Sequence, residues 1–201
     1  VYKRQEQSIL LSLALNSINS GLHHGKPARP NSADYPPTLT ARRASFVTLK
    51  HGETLRGCIG TLEARSSLVE SIADNAYAAA FSDPRFPALD ATEVEDLVIE
   101  VSVLSPLEPV PVTSEQELLD KMRPGEAGWL LQENGYRGTF LPSVWESLGE
   151  PAEFLRHLKM KAGLAPDYWS DTLQIWRYTT DSFAAAASAI AALGRGAPNA
   201  G

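Results

Sequence analysis

The sequence has a single cysteine, Cys58, and no long apolar segment. One cysteine cannot form an intramolecular disulfide, so the fold does not depend on an oxidising compartment, and metal sites built from several cysteines are excluded. The four histidines are too scattered to indicate a metal site. No apolar run reaches the roughly 18 residues that a membrane-spanning helix needs. We therefore expect a cytoplasmic protein, and the sequence identifies no cofactor.

Positive charge is also scarce, with 18 lysines and arginines against 24 aspartates and glutamates. The resulting net charge of -6 argues against a general attraction to nucleic acid or anionic membranes, although a local basic patch stays possible. Hydrophobic residues make up 43% of the chain and charged residues 21%, which is typical of a globular protein. A chain of 201 residues is long enough for one domain with a substantial core.

Helical patterns occur at the beginning of the chain and after its first predicted hairpin. Residues 4–20 carry apolar side chains at helical spacing, and Gly21 follows as a stop signal. Ser67 and Glu70 form a capping box at the start of another predicted helix. The intervening residues 22–43 are rich in proline and have no hydrophobic period, which predicts a long irregular connection.

The segment FVTLKHGETLRGCIG, residues 46–60, predicts a β-hairpin. With a three-residue loop at 51–53, Cys58 would lie opposite Phe46. Alternation along the strand would then direct Arg56 and Cys58 to the same face of the sheet. The alternative two-residue loop would mix apolar and polar side chains on each face, so we favour the first register.

The later elements follow from similar local patterns. Thr92 and Glu95 are placed to cap a short helical turn before a strand predicted at 97–104. An alanine-rich helix is predicted at 182–193. The residues that follow, 194–201, predict a flexible tail.

The second half of the chain repeats the order of elements in the first. Its hairpin, around Asn134-Gly135, is followed by helices predicted near 142–148 and 151–162 and by a strand at 172–179. Gly163 is predicted to end the second helix. The tripeptide Arg56-Gly57-Cys58 of the first half corresponds to Arg137-Gly138-Thr139 of the second. Each half therefore reads as strand, strand, helix, helix, strand, which we interpret as an internal duplication.

Four motifs together resemble one family: LRGCIG at 55–60, SDPRFPAL at 82–89, EVSVLSPLEPV at 100–110 and GYRGTFLPSVW at 135–145. They closely resemble the AMMECR-type domain, whose prokaryotic members are called AmmeMemoRadiSam system protein A. The resemblance covers about residues 5–180, and the motif LRGCIG is highly specific to the family.

The resemblance implies an α+β fold in which two repeats of three strands and two helices surround one curved, barrel-like, mainly antiparallel sheet. It thus implies a single domain over residues 1–193. It also implies that the protein frequently occurs together with a Memo-like protein and a radical S-adenosylmethionine protein. The molecular function of the family is not established, so the resemblance supplies the motif positions and no catalytic residue.

Cys58 and Glu100 are the candidate catalytic residues. Cys58 lies two residues from Arg56, and a cation beside a thiol favours the reactive thiolate. The alternative is that Cys58 is a small buried core residue, because unpaired cysteines are among the most buried residues. Glu100 is a carboxylate inside an apolar strand and needs a partner or water. Pairing with Arg56 or Arg137 would be structural and action as a general base would be catalytic, and we favour the pairing.

The candidate ligand-binding residues are Arg56, Gly57, Gly60, Asp83, Arg85, Arg137 and Thr139. Glycines in a strand indicate a bulge or a close approach by backbone or ligand. Arg56 and Arg137 occupy matching positions in the two halves and would suit a two-arginine anion clamp, since guanidinium groups match carboxylate and phosphate. Asp83 and Arg85 flank Pro84, where they either hold the turn or face a ligand.

Two functions fit these residues. The first is an enzyme or enzyme component, with a small anionic-ligand pocket at the LRGCIG strand, in a pathway with a radical S-adenosylmethionine partner. The second is a non-catalytic adaptor that docks the Memo-like or radical S-adenosylmethionine protein. For the adaptor, the connection at 22–43, with Arg29, Arg42 and Arg43, is a candidate docking element.

Overall fold

The chain folds into two compact units in a computed structural model that describes residues 1–195. Unit 1 consists of Val1–Leu104 together with the chain from Asp181 onward, and unit 2 consists of Ser105–Thr180. No helix within the described residues is both long and apolar enough to cross a membrane.

The chain has six α-helices and eight strands within the described residues. The α-helices are α1 (Arg4–His24), α2 (Pro37–Thr40), α3 (Leu68–Phe81), α4 (Glu115–Lys121), α5 (Pro151–Ala162) and α6 (Ala187–Arg195). The strands are β1 (Ser45–His51), β2 (Thr54–Gly60), β3 (Leu97–Leu104), β4 (Glu108–Pro109), β5 (Gly128–Glu133), β6 (Tyr136–Phe140), β7 (Gln174–Tyr178) and β8 (Thr180–Ala186). Short 3-10 helices occur at Ser32–Asp34, Ala91–Asp96 and Pro142–Glu146.

Unit 1 contains a four-stranded sheet with the order β2-β1-β3-β8, in which β1 is antiparallel to β2 and β3. One face of this sheet is apolar because Val47, Leu49, Ile99 and Val101 alternate with polar residues along β1 and β3. These side chains are fully buried and form a core with α1 and α3. We call the opposite face, which carries Thr48, the outer face.

Unit 2 contains a second four-stranded sheet, with the order β4-β7-β5-β6 and antiparallel pairing throughout. Its core joins Trp129 and Leu131 of β5 to Phe154 of α5. The ring of Trp145 stacks on Phe154 with 3.8 Å between ring centroids. Strand β4 is the shorter edge, and its Pro109 removes a backbone donor that an approaching strand would need.

The expected α+β class is confirmed, whereas the strands form two sheets that are not closed into a barrel. The two sheets share one arrangement. In each, the first strand of the hairpin lies between the second strand and the strand that follows the helix, as β2-β1-β3 and β6-β5-β7.

Several predicted boundaries are confirmed. The capping box of Ser67 and Glu70 is present at the start of α3. Asn134 and Gly135 both have positive φ, as the two-residue turn between β5 and β6 requires. Gly163 ends α5 in the left-handed conformation.

Other predicted boundaries are wrong. Helix α1 continues through Gly21 and ends at Gly25, which has the left-handed conformation. Gly21 instead allows Phe81 to approach the helix backbone, because a side chain at this position would collide with the phenyl ring. The 3-10 helix that precedes β3 is capped by Asp90 and Glu93, two residues earlier than the predicted Thr92 and Glu95.

The alanine-rich segment predicted as a helix at 182–193 is divided between two elements. Its first part belongs to β8, a strand beside β3, and only Ala187–Arg195 is helical. Sheet pairing therefore overrides the helical propensity of alanine. The tail predicted at 194–201 falls, beyond Arg195, outside the described residues.

Candidate functional site

The hairpin that carries LRGCIG has a different register from the predicted one. Its turn is the two-residue Gly52-Glu53, with a positive φ at Gly52. Lys50 pairs with Leu55, and a β-bulge follows, so that Leu49 pairs with Gly57. Cys58 therefore lies opposite Thr48 and not opposite Phe46.

Gly57 explains why the hairpin adopts this register. A Cβ atom at Gly57 would collide with the carbonyl oxygen of Ala79 in α3. The strand thus approaches the helix backbone more closely than any side chain allows. The bulge brings this glycine opposite Leu49, which faces the same helix layer, and leaves Arg56 as the extra residue.

The bulge sends the side chains of Arg56 and Cys58 to different sides of the sheet, so the prediction that they share a face is wrong. The Arg56 guanidinium bonds Glu93, which also contacts His51, a residue in phase with the buried Leu49 on β1. The Cys58 sulfur, in contrast, contacts Thr48 on the outer face. Alternation alone predicts a common face, and the extra residue breaks that alternation.

Arg56 is held by a bidentate ion pair. Its Nε and Nη2 donate to the two carboxylate oxygens of Glu93, at 2.7 and 3.0 Å. The pairing with Arg56, opposed by partial burial, lowers the pKa of Glu93 to about 2. In the same way, Glu93 raises the pKa of Arg56. Arg56 is only 8% exposed, and Glu93 engages two of its three guanidinium nitrogens.

Acid is expected to weaken unit 1 through Glu93. Because the folded-state pKa is depressed from 4.5 to about 2, the stabilisation is complete above pH 4.5 and is lost as the pH falls through about 2. Thermal melts between pH 5 and 2 should therefore show a shallower pH dependence for Glu93→Gln than for the unsubstituted protein. The exposed Glu153→Gln serves as a control, and equal slopes for all three proteins would contradict the assignment.

Cys58 is half-buried on the outer face and has a hydroxyl donor beside it. The Thr48 Oγ1 donates a hydrogen bond to the Cys58 sulfur at 3.2 Å. Thr48 also pairs with Glu100 on β3, so the three side chains form one row across the sheet. At the usual strand spacing, Cys58 and Glu100 lie about 10 Å apart. The sheet therefore brings both candidate catalytic residues to one face.

Asp83 and Arg85 bracket the backbone of Cys58. The N–H of Cys58 donates to Asp83 Oδ2 at 2.9 Å, and Arg85 Nη2 donates to the Cys58 carbonyl at 3.3 Å. Strand β2 is an edge of its sheet, so these backbone groups have no neighbouring strand to pair with. The two side chains take the place of that strand, which links the SDPRFPAL segment physically to LRGCIG.

Asp83 and Arg85, which together we call the bracket, also form a bidentate ion pair with each other. Arg85 Nε and Nη2 donate to the two carboxylate oxygens of Asp83 at 3.0 and 2.7 Å. The Asp83 side chain is only 2% exposed. The Arg85 guanidinium, against the effect of burial and with help from the Cys58 N–H, holds the pKa of Asp83 well below its usual range.

Arg85, and not Arg56, is the cation that contacts Cys58, through the backbone carbonyl of that residue. Its side chain is 54% exposed, and its guanidinium lies 5.5 Å from the centre of the Phe86 ring. Nη1 has no hydrogen-bond partner among the described residues, while Nε and Nη2 bind Asp83 and Cys58. Arg85 can therefore hold the bracket and still offer one guanidinium nitrogen to an anion.

Glu100 has a different partner from the predicted ones. Lys50, its neighbour on the outer face, donates to the Glu100 carboxylate at 2.9 Å. Neither Arg56 nor Arg137 takes this place. The ion pair adds a lysine to the polar row that begins at Cys58.

The remaining candidates divide between the two units. Gly60, in unit 1, lies under the ring of Phe46 and has no space for a side chain. Arg137 and Thr139 belong to β6 of unit 2, where Arg137 pairs with Gln132. The Thr139 hydroxyl donates to the carbonyl of Trp129, so Thr139 is engaged in its own sheet.

Two residues of the site escaped the sequence analysis. The alternation of Phe46, Thr48 and Lys50 along β1 could have placed Thr48 on the outer face. Glu93 gave no comparable indication, because it contacts Arg56 from a 3-10 helix 37 residues away in sequence.

Comparison with known proteins identifies the family. The AMMECR1 family model matches residues 11–183, so the chain belongs to the AMMECR1 family. It is 38% identical over 153 residues to Protein MJ0810 of Methanocaldococcus jannaschii, covering 74% of this chain and 76% of that protein. It is 39% identical over 171 residues to Protein MK0488 of Methanopyrus kandleri, covering 82% and 81%.

A solved structure has the same fold. The chain matches Uncharacterized Protein PH0010 from Pyrococcus horikoshii with a TM-score of 0.82 and 35% sequence identity. The match covers 88% of this chain and 90% of that structure. The similarity thus extends over both units.

Proposed function

We propose that the chain is a component of a radical S-adenosylmethionine and Memo-associated modification pathway in the cytoplasm, and that Cys58 is its reacting group. The observation that carries the proposal is the arrangement around Cys58: Thr48 donates a hydrogen bond to the sulfur, and the partly exposed guanidinium of Arg85 contacts the backbone carbonyl of the same residue. The exposed edge of this guanidinium can bind an anionic substrate next to the residue that carries the thiol. The pathway itself is the one that the family resemblance implies.

The substrate of this site is a small anionic molecule. Arg85 provides Nη1 for a carboxylate or phosphate oxygen, at a position next to the residue that carries the thiol. Asp83 fixes the main chain of that residue, so the sulfur is presented from a rigid edge rather than from a mobile loop. Glu100 of β3 and Lys50 of the intervening β1 supply a charged pair farther along the outer face.

Alkylation tests the site directly, because the chain has one cysteine. We expect iodoacetate to modify folded Cys58, as followed by intact mass, and Arg85→Gln to slow this reaction about threefold or more through loss of the cation. The same variant should slow neutral iodoacetamide less than iodoacetate, so the ratio of the two rates separates attraction of the anion from access to the thiol. Arg29→Gln, which removes an exposed arginine paired with Asp74, is the control.

Two results would overturn the proposal. One is a Cys58 that reacts only after denaturation. The other is a Cys58→Ser variant that keeps full activity in a system reconstituted with the radical S-adenosylmethionine and Memo-like partners.

We propose the adaptor role as a second candidate, because unit 2 has an apolar groove of about 360 Å³. The groove is lined by residues 109–112 and 173–176, with Trp176 among them. Val112→Glu should abolish co-purification with a Memo-like or radical S-adenosylmethionine partner. Leu55→Glu, at an exposed apolar position in unit 1, should not. Undiminished complex formation by Val112→Glu would count against the groove.

We further propose that the two units descend from one duplicated unit. The shared strand arrangement supports this origin, as do the two glycines at matching positions. Gly57 meets the backbone of α3, and Gly138 meets the backbone of α5, where a Cβ would lie 2.7 Å from the Ala162 nitrogen. The matching position of Cys58 carries Thr139, so the thiol belongs to one copy only.

A further inference from the structure

Unit 2 contains a cavity that lies apart from the thiol site. Its volume is about 270 Å³, just below the range of drug-sized pockets and suited to a small metabolite. The lining includes Glu108 of β4, Arg177 of β7 and Glu126 of the segment before β5. The cavity therefore brings both signs of charge together from three parts of the unit.

The charged groups around this cavity do not satisfy all of one another's hydrogen-bonding capacity. Arg177 Nε donates to Glu108 at 3.0 Å, but Nη1 and Nη2 have no partner among the described residues. Glu126 is exposed, and its carboxylate has no hydrogen bond or ion pair within residues 1–195. Arg177 and Glu126 thus line one cavity without pairing with each other. Opposite charges in this arrangement can each bind one end of a ligand that carries both.

We propose that this cavity binds a small zwitterion, whose carboxylate pairs with the free guanidinium nitrogens of Arg177 and whose ammonium pairs with Glu126. A planar guanidinium edge with two nitrogens suits a carboxylate with two oxygens. An ammonium group donates three hydrogen bonds, and Glu126 and the partly engaged Glu108 both accept. The site is independent of Cys58 and of the proposed thiol chemistry.

Ligand titrations followed by NMR test this assignment on the full chain. The probes are glycine and 4-aminobutyrate, which place the two charges at short and long separation. Their single-charge analogues are methylamine and acetate for glycine, and butylamine and butyrate for 4-aminobutyrate. We expect at least one zwitterion to bind saturably and its single-charge analogues to bind about tenfold more weakly or worse.

Glu126→Gln is the decisive variant, because its carboxylate has no protein partner whose loss would disturb the fold. It should weaken zwitterion binding about tenfold, whereas Glu146→Gln, at an exposed acid outside the cavity lining, should leave binding unchanged. The proposal is overturned if neither zwitterion saturates by about 50 mM, if single-charge analogues bind equally well, or if the two variants behave alike. The result does not depend on whether Cys58 proves to be reactive.

Discussion

Gly57→Ala is expected to cost about 3 kcal/mol or more of the free energy of unfolding of unit 1. The added Cβ would collide with the Ala79 carbonyl oxygen, and both collision partners belong to main chain. Neither can move without shifting β2 or α3, so the clash is not relieved by a rotamer change. For a chain of this size the melting temperature should fall by about 10 °C, measured by circular dichroism.

Gly149→Ala is the matched control for this prediction. A Cβ at Gly149 would meet only the Trp145 carbonyl oxygen, at 3.8 Å, which is ordinary contact. Its melting temperature should stay within about 2 °C of the parent. Gly138→Ala should reproduce the loss in unit 2, because its Cβ would lie 2.7 Å from the Ala162 nitrogen. A Gly57→Ala protein as stable as Gly149→Ala would show that β2 does not lie in close contact with the backbone of α3.

Asp83→Ala is expected to cost about 2–4 kcal/mol. The substitution removes the acceptor of the Cys58 N–H and of the Arg85 N–H, as well as the anchor of the Arg85 guanidinium. The carboxylate is almost completely buried, so in the variant water cannot readily take its place as a hydrogen-bond acceptor. Thermal melts measure the loss, and hydrogen exchange locates it. The Cys58 amide should exchange markedly faster, because its protection depends on Asp83.

Asp74→Asn provides the comparison, because Asp74 also pairs with an arginine but does so at the surface. The Asp74–Arg29 pair has side chains that are 51% and 74% exposed, and such pairs contribute about 0–1 kcal/mol. Its melting temperature and the exchange of the Cys58 amide should stay close to those of the parent. If Asp83→Ala behaved like Asp74→Asn, the bracket would not hold the edge strand.

The elements that could be predicted from the sequence are those with strong local determinants. Ser67 and Glu70 satisfy the free donors at the start of α3 with their own side chains, and no distant residue is needed. Asn134 and Gly135 adopt positive φ readily, which fixes the turn and register of the β5–β6 hairpin. The strand at 97–104 is set by its own alternation.

The first hairpin could not be predicted in this way, because its register depends on a helix that comes later in the chain. Gly57 must meet α3, and the bulge at Arg56 provides the necessary shift. For the same reason, β8 forms because β3 offers a free edge, although alanine favours helix. Local propensity contains no information on either contact.

The candidate site likewise combines residues that the sequence identified with contacts that it could not predict. The sequence singled out Cys58, Asp83, Arg85 and Glu100, which the structure places on or beside the outer face of unit 1. It assigned the wrong arginine to the thiol, since two residues along a strand suggest a common face until a bulge intervenes. Asp83 and Arg85 reach Cys58 across 25 and 27 residues of chain, a contact that only tertiary structure reveals.

The division into two units has a practical consequence for measuring how this protein unfolds. All four tryptophans, at positions 129, 145, 169 and 176, belong to unit 2, whereas the only sulfhydryl belongs to unit 1. Intrinsic fluorescence therefore follows one unit, and the labelling rate of a single thiol follows the other, without any engineered probe. Coincident denaturation midpoints from the two readings would indicate one cooperative transition, and separated midpoints would give the stability of each unit by itself.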